Sequence, residues 1–400
     1  MKLLATSLDA VKPSPTLEIT KKAAQLRREG VDVIGLAQGE PDFPTPKHIG
    51  DAAKEAVDRG FTRYTDVDGT PELKAAVARK FKRENGLTYE QNQISVGTGG
   101  KQVIFNALRA SLNVGDEVII PAPYWVSYPD MVLLAGGSPV ELPCTAEQGF
   151  KLSAQQLRSA ITSKTKWLIL NSPSNPTGAG YSRDELVALA SVLVDHPHVH
   201  VLTDDMYEHL RYDGWEFNTL ASVEPRLYER TLTVNGVSKA YSMTGWRIGY
   251  AGGPQELINA MAKIQSQSTS NPCSISQYAA MAALDGPLDF LGERNDVFRE
   301  RRDLCLDTFN SIEGLECRKP EGAFYLFPSC QGWIGRDTPG GARLNDDMAV
   351  ARYLLEQARV AVVPGSAFGA EGHFRISFAT STERLRDACI RIRLASQQLN

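Results

Sequence analysis

The sequence lacks a C-x-x-C pair, an apolar run long enough to cross a membrane, and an excess of positive charge. Its six cysteines are scattered along the chain, which argues against a disulfide framework or a zinc site and predicts free thiols in a reducing compartment. The N-terminal stretch MKLLATSLDAVKPSP has no apolar core of the kind that a signal peptide needs. A net charge of −4 gives no electrostatic reason to expect nucleic acid or an anionic membrane. These absences predict a cytoplasmic protein.

The composition is that of an ordinary globular protein. Of 400 residues, 42% are hydrophobic and 22% are charged, and this length favours one large domain with a smaller one. Short β-branched runs alternate with amphipathic helical patterns: ISVGT, EVIIP, SPVEL, KWLILN, HVLTDD, TLTVN and IGYAGG. Strands that alternate with helices predict an α/β fold, with a mostly parallel sheet covered by helices on both faces.

The pattern changes after Gly286. A long charged helical stretch is followed by short strands at AFYLFP, VAVVPG and RISFA, with helical segments between and after them. We therefore predict an N-terminal segment at 1–45 that joins the small domain, a large domain at 46–286 and a small α+β domain at 287–400. The Gly- and Pro-rich stretch CQGWIGRDTPGGARLN is predicted to be a loop.

In an open parallel sheet, ligands bind beyond the carboxyl ends of the strands, so the residues that follow each strand are the candidates. The turn GTGGKQ follows the first of these strands and opens a helix, where backbone N–H groups can bind an anion. Neither nucleotide motif is complete there, because Gln102 stands where the dinucleotide motif needs Gly or Ala and the P-loop needs Ser or Thr. A tight turn without a ligand remains an equal alternative.

Other strand ends carry residues that are ordinary one at a time. Trp125 after EVIIP fits a packing role as well as a ring that stacks on a planar ligand. Asn175 after KWLILN is a turn former or a donor to a ligand oxygen. Asp204 after HVLT caps the next helix or pairs with a buried cation, with Tyr207 one helical turn further on.

Lys239 and Arg247 lie close together in GVSKAYSMTGWRIGY, between a buried strand and the next one. Most lysines are solvated, but burial after a strand lowers the pKa of an amine and makes it nucleophilic. Arg375 lies inside the strand-like FRISFAT, where an unpaired guanidinium is costly and an anionic partner is expected. His196, His198 and His200 suggest a metal site, but they precede their strand and a helix-to-strand loop is favoured.

One cofactor uses all of these groups together. Pyridoxal 5′-phosphate needs a lysine for its aldehyde, an acid for its pyridine nitrogen, and donors for its phosphate and phenolate oxygens. The order of anion turn, aromatic ring, Asn, Asp with Tyr, Lys and Arg along successive strand ends supplies each of them. Each feature is weak alone, whereas the ordered set predicts this cofactor.

The motifs SPSNPTG, DDMYEH and SKAYSMTGWRIG resemble the class I and II aminotransferases, which are fold-type I pyridoxal-phosphate enzymes, and the resemblance covers almost the whole chain. It is strongest to the bacterial branch of aspartate aminotransferases, many of which also use prephenate. Asp205, where relatives often carry Glu, departs slightly from the pattern. The resemblance implies homodimers with shared active sites, amino acids and 2-oxo acids as substrates, and no metal.

The resemblance also implies a role for each matching residue. Lys239 would bond to the cofactor's aldehyde and act as the proton carrier, and Asp204 would hold the pyridine nitrogen protonated. The remaining cofactor ligands would be Gly99, Gly100 and Lys101 at the phosphate turn, Arg247 on the phosphate, Trp125 on the ring, Asn175 and Tyr207 on the phenolate oxygen, and Tyr64 on the partner's phosphate. Arg375 and the backbone of Gly39 would hold the substrate α-carboxylate, while Lys101 and Lys12 are candidates for a distal carboxylate.

Three alternatives stay open. A lyase or synthase, such as a C–S lyase, or an aromatic or alanine aminotransferase would use the same scaffold. A pyridoxal-phosphate-sensing transcription regulator would need a DNA-binding module, for which the similarity starting near Lys12 leaves no room. A nicotinamide dehydrogenase is disfavoured by the incomplete glycine motif.

Overall fold

The computed structural model of the chain describes residues 3–11 and 15–400, with the side chains of 15–18 left out. Lys12, the candidate ligand for a distal carboxylate, lies outside the described residues. The strands in the described ranges are β1 Ile34–Gly35, β2 Ile94–Gly97, β3 Glu117–Ala122, β4 Ser138–Pro143, β5 Thr165–Asn171, β6 His200–Asp204, β7 Thr231–Gly236, β8 Gly249–Gly252, β9 Tyr325–Leu326, β10 Val360–Ala361, β11 Val363–Pro364 and β12 Phe374–Ser377.

The α-helices follow the predicted alternation with these strands. They are α1 Pro15–Arg28, α2 Lys47–Asp58, α3 Pro71–Lys80, α4 Gly100–Ser111, α5 Ser127–Ala135, α6 Ala154–Ala160, α7 Arg183–Val194, α8 Leu220–Val223, α9 Gln255–Ser266, α10 Ser274–Asp285, α11 Phe290–Asn310, α12 Asp347–Tyr353 and α13 Thr382–Ser396.

Seven strands form the central sheet, in the order β2-β8-β7-β6-β5-β3-β4. The pairs β3–β4, β3–β5, β5–β6 and β6–β7 are parallel, and only β8 runs antiparallel to both of its neighbours. The prediction of a mostly parallel sheet is confirmed, and all seven strand segments lie where the sequence placed them.

Alternation along the strands explains why helices cover both faces of the sheet. In β5, Trp167 and Ile169 pack into the apolar cluster formed with α4 and α5, whereas Leu168 and Leu170 pack on the opposite face with α7. Successive side chains of a strand point to opposite faces, so a strand buried on both sides has a continuous apolar run. The run KWLILN is therefore the mark of a central strand.

The helix α7 begins as its capping box predicts. The backbone N–H of Glu185 donates to Ser182 Oγ at 3.3 Å, and the Ser182 N–H donates to Glu185 Oε2 at 2.7 Å. These two bonds satisfy N–H groups that a helix start otherwise leaves unpaired.

A second region is built around two smaller sheets. One has the order β11-β12-β9, and in the other β1 pairs with β10 through Ile34–Val360 and Gly35–Ala361. The N-terminal strand thus pairs with a strand more than 300 residues further along. The boundaries at 45/46 and 286/287 stay a prediction.

The histidine segment has no metal-binding geometry. His196 and His198 lie in the loop before β6, as expected, but His200 is the first residue of that strand and contacts the Trp167 ring at 5.3 Å between centroids. In the described ranges, no helix is long and apolar enough to cross a membrane.

Candidate active site

The carboxyl ends of the parallel strands meet at one edge of the sheet. Asn171 at the end of β5 pairs in register with Asp204 at the end of β6, which pairs with Val234 of β7. A cavity of about 360 Å³ opens above this edge. It is lined by ten of the predicted site residues: Gly39, Gly100, Lys101, Trp125, Asn175, Asp204, Tyr207, Lys239, Arg247 and Arg375.

Lys239 follows β7 and lies half-buried in the wall of the cavity. Its Nζ donates a hydrogen bond to the backbone carbonyl of Gly39 at 2.6 Å. Burial lowers the pKa of Lys239 to about 8, and the positive charge of Arg375 acts in the same direction. The amine therefore loses its proton far more readily than a solvated lysine, as a nucleophile and proton carrier must.

Asp204 is the last residue of β6, and its carboxyl group is fully enclosed. The hydroxyl of Tyr128 donates to Asp204 Oδ2 at 2.6 Å, and the Met206 N–H donates to Oδ1 at 3.4 Å. Burial raises the pKa of Asp204, whereas the bond from Tyr128 lowers it. A buried acid that needs a positive partner to ionise is suited to bind a protonated ring nitrogen.

Arg375 of β12 lies on the other side of the cavity and is buried. Its Nη1 donates to Asn175 Oδ1 at 2.8 Å, and its Nη2 donates to the carbonyl of Ala37 at 2.6 Å. The guanidinium lies 4.6 Å from the centroid of the Tyr325 ring, and Nε is buried with no partner among the described residues. Since neutral acceptors alone surround this charge, an anionic ligand would complete its coordination.

Asn175 and Tyr207 face the cavity from adjacent strand ends. The backbone N–H of Asn175 donates to Asn171 Oδ1 at 2.8 Å, which fixes the turn. Because Oδ1 of Asn175 accepts from Arg375, its Nδ2 is the atom left to donate to a ligand. The hydroxyls of Tyr207 and Tyr325 lie 2.8 Å apart, and burial raises the pKa of Tyr207 so that its proton is kept.

The turn before α4 is built for a close approach of backbone. Gly99 has φ +84°, and a Cβ there would lie 2.3 Å from Arg247 Nη2. A Cβ on Gly249 would lie 2.2 Å from the amide nitrogen of Gly100. Glycine is required at both positions, and the first N–H groups of α4 and the Arg247 guanidinium therefore converge on one place. This is an anion-binding arrangement.

Lys101 and Trp125 lie together at the cavity wall. Lys101 Nζ is 4.8 Å from the centroid of the Trp125 ring. Burial lowers the pKa of Lys101, and the nearby charge of Arg247 adds to this effect. Lys101 is thus a further basic side chain of the cavity, besides Lys239, Arg247 and Arg375.

Comparisons with known proteins decide the family. The profile described as "Aminotransferase class I and II" matches residues 31–392. A protein of Cereibacter sphaeroides named "Aspartate/prephenate aminotransferase" is 60% identical over 98% of both chains. The solved structure of the aspartate aminotransferase from Rhizobium meliloti is 56% identical, with a TM-score of 0.98 over 100% of both chains. The Thermus thermophilus aspartate aminotransferase with maleate is 46% identical, with a TM-score of 0.91 over 99% of this chain and 100% of that one.

The chain belongs to the class I and II aminotransferase family.

Two residues predicted for this aminotransferase do not line the cavity. Gly99 lies at the turn but packs against Arg247. The Tyr64 side chain is 92% exposed on a loop of this chain, so its role toward a partner's phosphate stays a prediction.

Sequence reasoning missed three residues of the site. Tyr128 donates a hydrogen bond to Asp204. Asn171 Nδ2 donates to the Asp204 carbonyl at 2.7 Å, and Asn171 Oδ1 accepts from the N–H of Asn175. Tyr325 contacts both Tyr207 and Arg375. Tyr325 also explains Gly39, because a Cβ there would lie 2.1 Å from the Tyr325 hydroxyl oxygen. Asn171 stands at a strand end, where the sequence favoured only a turn former, and Tyr128 lies in the stretch PYWVSYP without a role of its own. Tyr325 carries no motif.

Asp205, the small departure from the family pattern, is also buried. Burial raises its pKa well above that of an ordinary aspartate. Its backbone N–H donates to Val234 O at 2.9 Å, which keeps the end of β6 in register.

Proposed function

We propose that this aminotransferase binds pyridoxal 5′-phosphate and moves the amino group between L-aspartate or L-glutamate and 2-oxo acids, with prephenate also accepted to give arogenate. The observation that carries the proposal is Lys239, a half-buried amine with a pKa of about 8, in one cavity with Asp204 and Arg375. The relatives' names support the substrates.

The residues of the cavity fit the cofactor's chemical groups. Lys239 would bond to the aldehyde, Asp204 would hold the protonated pyridine nitrogen, and Trp125 would stack on the ring. The glycine cradle at the start of α4, closed by Gly249, leaves room for phosphate against backbone N–H groups, with Arg247 beside it. Tyr207 and Asn175 Nδ2 would donate to the phenolate oxygen.

When bound, pyridoxal phosphate supplies an electron-accepting ring that stabilises negative charge on the substrate's α-carbon. Arg375 binds the α-carboxylate through its fork of N–H donors and orients the substrate. Lys239 Nζ takes the α-proton and carries it, since its lowered pKa lets the neutral amine exist near neutral pH. Asp204 would hold a protonated pyridine nitrogen, whose positive charge would keep the carboxylate ionised.

The test of this function uses the purified protein and a matched lysine variant. The wild type should be yellow and should transfer the amino group from aspartate to 2-oxoglutarate. Lys239→Ala should lose both the visible absorbance and the activity, while Lys54→Ala, at an exposed lysine of α2, should keep both. A colourless wild type that takes up no pyridoxal phosphate would refute the proposal. Release of ammonia or sulfide without transfer would favour a lyase.

The substrate range depends on a second cation for the distal carboxylate. We propose Lys101, which lines the cavity, together with Lys12. Lys101→Met and Lys12→Ala should depress turnover of aspartate, oxaloacetate and prephenate much more than turnover of an aromatic monocarboxylic amino acid. An equal loss for all substrates would remove the residue from this role.

We also propose a homodimer with shared active sites, located in the cytoplasm. The exposed Tyr64 supports the dimer, and six free cysteines support a reducing compartment. Mixed dimers made from a Lys239→Ala subunit and a Tyr64→Ala subunit should regain part of the activity that each variant lacks, because one native site forms per mixed dimer. The domain division at residues 45 and 286 is proposed as well, supported by the pairing of β1 with β10.

A further inference from the structure

A charged cluster is buried behind the loop that follows β6, outside the cavity. Lys80 is fully buried and Glu208 is 4% exposed. Lys80 Nζ donates to Glu208 Oε1 and, at 2.7 Å, to Asn85 Oδ1, while Asn85 Nδ2 donates to Glu208 Oε2 at 2.7 Å. Both carboxylate oxygens of Glu208 are therefore bound by groups that cannot reach water.

The rim of this cluster contains a second acid and a histidine. Glu84 Oε2 lies 3.6 Å from Lys80 Nζ and 2.9 Å from His209 Nε2. Glu84, Glu208 and His209 have their ligand atoms within 4.8 Å of one another. They do not form a metal site, because the ammonium of Lys80 already lies against Glu208 where a metal ion would have to bind.

Local helix geometry brings Lys80 and Asn85 together. The helix α3 ends at Lys80 and continues as a π-helical turn over Phe81–Asn85, which ends at Gly86 with φ +68°. The Gly86 N–H donates to Phe81 O across five residues. Such wide turns interrupt α-helices mostly at functional positions. Here the turn lets two side chains five positions apart meet on one carboxylate.

Glu208 is the residue after Tyr207, on the loop that begins directly after Asp204, the last residue of β6. Its side chain enters the cluster, whereas Tyr207 lines the cavity. The loop is closed by two backbone bonds, Glu208 N–H to Asp205 O at 3.0 Å and Leu210 N–H to Tyr207 O at 2.9 Å. A shift of Glu208 therefore moves the backbone on which both cavity residues stand.

The far end of the same loop is bound to other elements. Asn295 Nδ2 of α11 donates to His209 O at 2.8 Å, and the Ala323 N–H donates to Leu210 O at 2.9 Å. Glu208 supplies the opposing side-chain anchor, toward the end of α3. The loop is thus held at Glu208 by the cluster and at His209 and Leu210 by the bonds from Asn295 and Ala323.

We propose that Lys80 and Glu208 are positioning residues that set where Asp204 and Tyr207 stand for the cofactor, an inference that rests on the proposed function. A buried ion pair adds little stability over a well-packed apolar pair, and replacing the whole pair is often neutral. What the pair adds here is a defined position for the loop, because one placement of the Glu208 side chain satisfies Lys80 and Asn85 together.

The test separates the positioning of the loop from the stability of the fold. It uses Glu208→Gln, Lys80→Met and the double variant Lys80→Met/Glu208→Leu. Three quantities are measured: the melting temperature of the apoenzyme, the dissociation constant of pyridoxal phosphate, and the pH midpoint of the bound cofactor's visible absorbance. The single variants should lower the melting temperature and weaken cofactor binding. The double variant should recover most of the melting temperature, yet bind the cofactor about tenfold more weakly with a shifted midpoint, since misplacement by 1 Å costs up to about 10²-fold.

The matched control is Leu193→Ala. Leu193 is fully buried at the end of α7, near the amino ends of the strands and away from the cavity. Its loss should lower the melting temperature without changing cofactor affinity or the midpoint.

The proposal would be overturned if the double variant kept the wild-type cofactor affinity and pH midpoint. It would also be overturned if Leu193→Ala lost as much cofactor affinity as a cluster variant with the same melting temperature. If Lys80→Met does not fold, Glu208→Gln, which keeps the shape of the side chain, decides by the same comparison. Failure of the proposed function is distinct, since the wild type itself would then bind no pyridoxal phosphate.

Discussion

Removal of the Tyr128 hydroxyl tests how the buried acid of the site is kept ionised. Tyr128→Phe deletes the hydrogen bond that the Tyr128 hydroxyl donates to the Asp204 carboxylate, a 2.6 Å contact between buried groups. The ring itself stays, and with it the edge-on contact to Trp125 at 5.3 Å between centroids. The change is therefore confined to one donor.

The magnitude follows from the charge on the acceptor. A hydrogen bond to a charged group contributes about 1.5–3 kcal/mol. Loss of the donor should therefore raise the pKa of Asp204 further, and since about 1.4 kcal/mol is a tenfold change in an equilibrium constant, cofactor binding should weaken at least about tenfold. The pKa of Asp204 should rise, not fall, because the Tyr128 hydroxyl stabilises the ionised carboxylate and so lowers this pKa against the effect of burial. In the proposed function, a more easily protonated Asp204 would hold the pyridine nitrogen less well.

The assay is equilibrium binding of pyridoxal phosphate to the apoenzyme, with kcat/KM for aspartate as a second measurement. We expect binding about tenfold weaker in Tyr128→Phe, with the loss growing as the pH falls. The control is Tyr124→Phe, on the segment between β3 and α5. It removes a hydroxyl that donates to the exposed Glu141 of β4 at 2.9 Å. Unchanged binding in Tyr128→Phe, or equal losses in both variants, would refute the reasoning.

Three further predictions address the lysine, the arginine and the phosphate cradle. In the apoenzyme, the reactivity of Lys239 toward an amine reagent should rise through about pH 8, because burial lowers its pKa; a rise only near that of a solvated lysine would contradict this. Arg375→Lys should lower kcat/KM at least about tenfold for every amino-acid substrate, since a point charge replaces a two-donor fork; unchanged kinetics would assign the α-carboxylate to another group. Gly249→Ala should destabilise the fold by about 1–3 kcal/mol and weaken phosphate binding, because its Cβ would lie 2.2 Å from the Gly100 amide nitrogen. The control Gly50→Ala, which has open space around its Cβ, should do neither. Melting curves and phosphate titration measure the two effects.

The positions of the central strands along the chain, and of their carboxyl ends, were determined by the sequence alone. Runs such as KWLILN and TLTVN are buried on both faces, and their apolar content is visible without a structure. Because the carboxyl ends of parallel strands share one edge, residues far apart in the chain were expected in one place, and Asp204 and Lys239 do line one cavity. The capping box of α7 is equally local, since its two bonds join residues three positions apart.

The contacts that tune these residues were decided by the tertiary structure. Tyr128 meets Asp204 across 76 positions, Tyr207 meets Tyr325 across 118, and Arg375 meets Asn175 across 200. No spacing rule connects such pairs, because each depends on how a helix or a second sheet packs over the strand ends. The lowered pKa of Lys239 has the same origin: the sequence places the amine after a buried strand, but only the packed cavity removes water from it and brings the charge of Arg375 near.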